Sequence, residues 1–335
     1  EDKKYIMGSH HSSSKAGADK AGSTSDTKSE TKSETKHSTT PSTTPSTTRG
    51  PDSKLDPNAP GSAGTIYSTA NQVARYQNAQ NEGNTRYLDI GTVFDPAPLR
   101  GKRVLVVGAG RGLGFETVRC LKECGAIVIA TTRKQNEALS ELATQVITGI
   151  ELTSDDCVAK IPKEISAPLD VVIYNAGYFK EERERLATVD TSEDLKMIDI
   201  CAVAPLRVMK ALHTAHLLGV GCKVVLITSQ AGSVAWREHQ NPEGDNYGHH
   251  MSRAATNMMG RLLSFELKAD GIPVALLHPG FNRTEMTQKY AEIWDKEGAV
   301  DPSIGAKRVL HEVNSLSMST TGQFINCEDG LQIPW

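Results

Sequence analysis

The stretch 104–114 constrains this chain more than any other. A β-branched apolar run, Val104-Leu105-Val106-Val107, stops at four glycines (Gly108, Gly110, Gly112 and Gly114) and gives way to Phe115, Val118 and Leu121 at helical spacing. Uninterrupted apolar runs belong to parallel strands buried on both faces, so the stretch reads as strand, tight turn, helix. Glycine at 108 and 112 lets backbone N–H groups approach a ligand that a Cβ would hold off, and the helix N-terminus behind them favours an anionic phosphate. The spacing is G-x-x-x-G-x-G. The commoner G-x-G-x-x-G would need its third glycine where Leu113 stands. Alone, the turn is open to two readings, a nucleotide cradle or an ordinary glycine-rich strand-to-helix connection.

From residue 102 onward the same alternation repeats. Apolar runs at 104–107, 127–131, 145–150, 169–174, 223–228, 273–277 and 322–325 read as strands, with long helical patterns at 192–215 and 246–268 and shorter ones at 284–296 and 302–313. Alternating strands and helices predict an α/β fold, a right-handed doubly wound parallel sheet with helices on both faces. Upstream, residues 1–60 are rich in Ser, Thr, Lys and acidic side chains and carry too little apolar surface to order themselves. The fragment 7–11 (Met-Gly-Ser-His-His) matches an expression-tag remnant, and the leader's many acids argue against a transit peptide. Residues 61–100 read as a partly ordered arm, with a short helix over 70–80 and an extended segment over 87–94.

Composition narrows the partners. With 335 residues, a formal net charge of −3 and no basic block in the folded part, nucleic acid is not expected as a partner. No apolar run reaches the roughly 20 residues that would span a bilayer, which predicts a soluble protein without a transmembrane segment. The six cysteines lack C-x-x-C spacing and sit mostly in apolar segments, as small buried residues of a reducing compartment would. That fits cytoplasm or an organelle matrix, and the leader does not decide between them. His10 with His11, and His249 with His250, lack metal-ligand spacing to acids or cysteines, so no metal is assigned. Lys210, His213 and His216 read as a solvated helix face.

Further motifs follow in order: Asn175-Ala176-Gly177 ending the fourth run, Ser229-Gln230-Ala231-Gly232 after the fifth, His278-Pro279-Gly280 after the sixth, and Asp329-Gly330-Leu331 near the end of the chain. With the glycine turn, they resemble the short-chain dehydrogenase/reductase family over residues 102–335, the ending being similar to its carbonyl-reductase-like and C-signal-like branch. The resemblance implies a single Rossmann-type domain that binds a nicotinamide cofactor. Gly108, Arg111, Gly112, Leu113 and Gly114 would hold the pyrophosphate, and Asn175, Ala176 and Gly177 would line the adenosine ribose side. Pro279, Gly280 and Thr284 would approach the nicotinamide amide. An NAD site wants an acid after the second strand. Here Thr132-Arg133-Lys134 stands there, and Arg133, Lys134 and Arg111 would pair a 2′-phosphate, so the site leans to NADP(H) over NAD. The competing reading makes Arg133 and Lys134 ordinary solvated charges.

The family's catalytic Tyr-x-x-x-Lys occurs nowhere in the chain. Aligning Ser252-Arg253-Ala254-Ala255 with the family's Ser-Lys-Ala-Ala puts His249 on the Tyr position and Arg253 on the Lys position, while Cys201 stands where the family usually has Asn. Ser229 is retained. Two readings stay open: a carbonyl-reducing oxidoreductase rewired onto Ser229, His249 and Arg253, or a nucleotide-binding pseudoenzyme serving as a regulatory, scaffold or assembly subunit. Tyr247 is a conceivable substitute donor. The resemblance also implies a homo-oligomer.

Overall fold

The computed structural model describes residues 67–180 and 182–335, so the expectations for 1–60, for the tag-like fragment and for the first residues of the arm lie outside the described residues. Seven strands, β1 (Arg103–Val107), β2 (Ile127–Thr131), β3 (Gln145–Ile147), β4 (Leu169–Tyr174), β5 (Leu218–Ile227), β6 (Val274–His278) and β7 (Phe324–Asn326), form one sheet in the order 3-2-1-4-5-6-7. Every pairing is parallel.

Around the sheet lie α1 (Gln72–Glu82), α2 (Thr85–Leu88), α3 (Gly112–Glu123), α4 (Glu137–Leu142), α5 (Asp155–Val158), α6 (Thr191–Ile198), α7 (Ala204–Thr214), α8 (Arg237–Gln240), α9 (Tyr247–Glu266) and α10 (Pro302–Ser315). Alternate strand residues feed two cores. Leu105, Val172 and Val224 pack with Val208, Leu212 and Leu263 of α7 and α9. Val104, Val106 and Ile173 pack with Val118, Leu121, Val309 and Val313 of α3 and α10. Both faces are thus covered, as the continuous apolar runs require. The chain winds outward from β1 in one direction and from β4 in the other, which opens a crevice at the carboxyl ends of these two strands.

The differences from the sequence reading have local causes. β3 stops at Ile147 because Gly149 turns to φ +72°. The expected helix over 192–215 is two helices joined by a π turn, Asp199–Val203, just before Pro205. Proline has no N–H for the carbonyl four residues back. The carbonyl of Cys201 accepts from Thr256 Oγ1 (2.9 Å) and that of Ile200 from the Tyr174 hydroxyl (2.7 Å), which ties the turn to α9 and β4. Over 284–296 the chain forms a 3₁₀ run, Glu285–Ile293, interrupted at Tyr290. The segment 87–94 is not extended: Asn84 caps α2 by accepting from Tyr87 N (3.1 Å), and a 3₁₀ turn, Ile90–Thr92, follows. Tyr87 is buried.

Candidate active site

The crevice is a cavity of about 1160 Å³ lined by the β1, β2, β4, β5 and β6 turns, by the start of α9 and by the arm residues Ala70, Asn71, Gln72 and Val73. At the glycine turn the backbone is locked against the neighbouring turn. Gly108 takes φ +83°, and a Cβ there would lie 2.6 Å from that of Ala176. Asn175 Nδ2 donates to the Gly108 carbonyl at 2.9 Å, and a Cβ on Gly114 would overlap both groups. Gly114 is therefore a glycine on which the packing of the two turns depends. The other cofactor-side residues, Gly108, Arg111, Gly112, Leu113, Arg133, Asn175, Ala176, Gly177, Pro279, Gly280 and Thr284, all line the cavity.

Helix α3 has no side-chain cap at its N-terminus, so its first N–H groups are left for an anion in the crevice. Arg133 and Lys134 are exposed at the β2 end of the cavity, and neither is ion-paired among the described residues. Arg111 instead pairs with Glu285, both well exposed, across the mouth of the crevice.

On the substrate side, Ser229 follows β5 and its Oγ accepts from Ala231 N (3.1 Å). His249 lies in the first turn of α9, its ring stacked on Phe179 with centroids 4.0 Å apart, and its Nδ1 is buried without a protein partner. Burial first, and then the positive charges of Arg253, His250, Lys289 and Arg237, hold its imidazole well below the ordinary histidine range. His249 is therefore neutral at pH 7. Four residues on, Arg253 is buried, donates from Nη1 to the Ile227 carbonyl (3.3 Å) and has no carboxylate partner among the described residues. Gly177 makes room for it: a Cβ there would lie 2.7 Å from Arg253 Nη2.

Ser229, His249 and Arg253 all line the cavity, whereas Tyr247 is exposed. Cys201 is buried at the π turn with Sγ 3.7 Å from the Tyr178 carbonyl. Behind α9, the Gly248 N–H donates to Glu184 Oε2 (3.0 Å), and the facing Asp194 is pushed up to about 6 by burial and by Glu184.

Several residues here have surroundings that the sequence did not reveal. His278, at the end of β6, lines the cavity with both ring nitrogens unpartnered, and burial pushes it down to about 4. Glu328 is fully buried and accepts from Phe281 N (3.1 Å), holding the turn after Gly280. It is paired in turn with Arg75 of α1 (3.5 Å) and Arg308 of α10 (3.9 Å), and accepts from Gln72 Nε2 at 2.9 Å. No spacing in the sequence marks these residues, because α1, α10 and the chain's last segment meet only in the fold. Among the described residues no group of three His, Cys, Asp or Glu could hold a metal, all six cysteines are free thiols, and no helix could cross a membrane.

The family model described as short chain dehydrogenase matches residues 102–293. A 1-hydroxy-2-glutathionyl-2-methyl-3-butene dehydrogenase from Rhodococcus sp. (strain AD45) is 30% identical over 235 residues, covering 69% of this chain and 99% of the relative. The C-signal protein of Myxococcus xanthus is 33% identical over 174 residues, 51% of this chain and 95% of its own. An NADPH-bound carbonyl reductase from chicken fatty liver superposes with a TM-score of 0.62 at 24% identity, over 70% of this chain and all of that one.

Proposed function

The chain belongs to the short-chain dehydrogenase family, and we propose that within it this protein is an NADP(H)-dependent oxidoreductase acting on a carbonyl or alcohol. The observation that carries this reading is the convergence of Ser229, His249 and Arg253 on the cavity that the glycine turn opens. The uncapped start of α3 and the Gly108–Asn175 contact fit a pyrophosphate, and the unpaired Arg133 and Lys134 fit a 2′-phosphate. NADPH, when bound, supplies the hydride. Ser229 donates a hydrogen bond to the substrate oxygen and keeps its proton, and His249, as a neutral imidazole, relays to that oxygen from solvent the one proton it takes up. Arg253 supplies fixed positive charge and no proton, because guanidinium does not titrate in this range. The glutathionyl compound named for the Rhodococcus relative supports an alcohol or carbonyl substrate.

A second reading has one observation in its favour: burial disfavours the imidazolium that would be the stronger acid at position 249. The same cavity would then bind nucleotide without turnover, as a regulatory or assembly subunit. One experiment separates the two. NADPH should raise the melting temperature more than NADH, and aldehydes, ketones or quinones should then drive NADPH oxidation. Protection without oxidation by any of them favours the second reading, and no protection by either nucleotide rejects both.

We also propose a homo-oligomer. Met258, Leu262 and Phe265 on α9 are each more than half exposed along one stripe, and Leu195 of α6 and Leu206 of α7 are exposed as well. Light scattering coupled to size exclusion tests it, with a monomer as the overturning result.

A further inference from the structure

We infer that the substrate end of the cavity is built for a carbonyl compound that also carries a carboxylate, gripped by Arg237; the inference rests on the oxidoreductase reading above. Arg237 opens α8, lines the cavity beside Ser229 and is only partly exposed. Its Nε donates to the Ser233 carbonyl (2.9 Å), and its Nη2 donates to the Gln230 carbonyl (3.0 Å) and to Gln240 Oε1. These acceptors are themselves anchored: Gln240 donates to the Ala70 carbonyl (2.7 Å), and Gln230 Oε1 accepts from Arg75 (2.7 Å). The guanidinium is thus fixed by three neutral groups, with Nη1 left over and no carboxylate at ion-pair distance among the described residues.

A half-buried cation without a counter-charge is an unfavourable arrangement that a bound anion relieves. Burial already lowers its pKa to about 10, so it remains charged at pH 7. The carboxylates that line the cavity are placed elsewhere. Asp245 pairs with Arg183, Glu285 pairs with Arg111, Glu151 accepts from the Thr153 hydroxyl (3.0 Å), and Glu297 lies near Arg75. The cofactor's phosphates do not answer for Arg237 either. The glycine turn follows β1 and Arg133 follows β2, two and three strands from β5 in the sheet, or about 10 and 14 Å. In the proposed reaction the carbonyl carbon takes the hydride of NADPH and its oxygen one proton. Oxo acid, NADPH and a proton become hydroxy acid and NADP⁺, and the carboxylate is unchanged.

The test uses the full chain in two assays. With NADP⁺ present, succinate should give saturable thermal protection that dimethyl succinate does not, and Arg237→Gln should abolish it while NADP⁺ protection persists. In turnover, oxo acids should exceed their methyl esters in kcat/KM by about ten- to hundredfold, and Arg237→Gln should collapse that ratio through KM. Arg237→Lys, which keeps the charge but not the fork, should retain part of it. If Arg237→Gln does not fold, the wild-type succinate and ester comparisons still decide. Absence of succinate protection, equal protection by the diester, or protection surviving in Arg237→Gln overturns the inference. Succinate protection without turnover of any carbonyl upholds the anion site and sinks the oxidoreductase reading instead.

Discussion

Arg75 Nη2 donates to Gln230 Oε1 at 2.7 Å, joining the helix that precedes the family's core to the residue that follows Ser229. The same guanidinium lies 3.5 Å from the fully buried Glu328, whose carboxylate holds the turn after Gly280. The arm is therefore part of both walls of the site. Arg75→Met should destabilise the fold by about 3–5 kcal/mol, because a buried carboxylate loses a partner. Arg75→Met combined with Glu328→Gln should recover much of that loss. Urea unfolding of the two single variants and the double one measures the coupling, and additive losses would show that the pair does not interact.

The 2′-phosphate reading of Arg133 and Lys134 makes a selective prediction. Replacing both by Ala should weaken NADPH by about tenfold and leave NADH unchanged, since only the former brings an extra dianion to this end of the cavity. Titration calorimetry with the two nucleotides checks it. An equal loss for both would mean that these side chains act on the adenosine in general, or on the fold.

How much of this was readable beforehand follows from which interactions are local. β1, β2 and β4 were legible because residues such as Val104–Val107 and Val171–Tyr174 are continuous apolar runs, and the glycine turn was legible because φ and close approach demand glycine there. The positions of Ser229, His249 and Arg253 followed from motif order. Helix α1 was expected near its observed place, but not what it does. It buries Gln72 and Arg75 rather than an apolar stripe, and a polar interior face looks like a solvated one until its partner Glu328, more than 250 residues away, is placed. The π turn was similarly hidden, since Pro205 announces a broken helix without saying that Tyr174 and Thr256 take up the freed carbonyls.

Acid should loosen the fold before it touches most carboxylates. His278 is held at about 4 chiefly by burial, with Arg75, Arg253 and Arg308 adding to the effect and Glu328 opposing it. Below its ordinary value of 6.5, the unfolded chain binds a proton that the folded chain refuses. Stability from this group is thus complete above pH 6.5 and falls steadily as the pH drops toward 4, by about 3 kcal/mol in all. His249 shifts in the same direction. Denaturation midpoints measured between pH 7 and 4 should decline, and His278→Leu should flatten part of the slope. An unchanged slope in that variant would assign it to other groups.

His249 decides whether the bound nucleotide does chemistry. His249 lines the cavity as a neutral imidazole stacked on Phe179, with its Nδ1 buried and unpartnered and no acid beside it among the described residues to keep it protonated. If it holds and protonates the substrate oxygen, His249→Ala should lower kcat by about 10²–10⁴ while NADPH protection is kept. The stronger test rebuilds the family's pair. His249→Tyr with Arg253→Lys places a phenol on the same helical turn as an ammonium that can lower its pKa. A rewired enzyme should lose activity in this double variant, because Lys cannot reproduce the guanidinium that reaches Ile227 and abuts Gly177. Activity that appears only in the double variant would identify the parent as a nucleotide-binding protein whose chemistry was removed at these two positions.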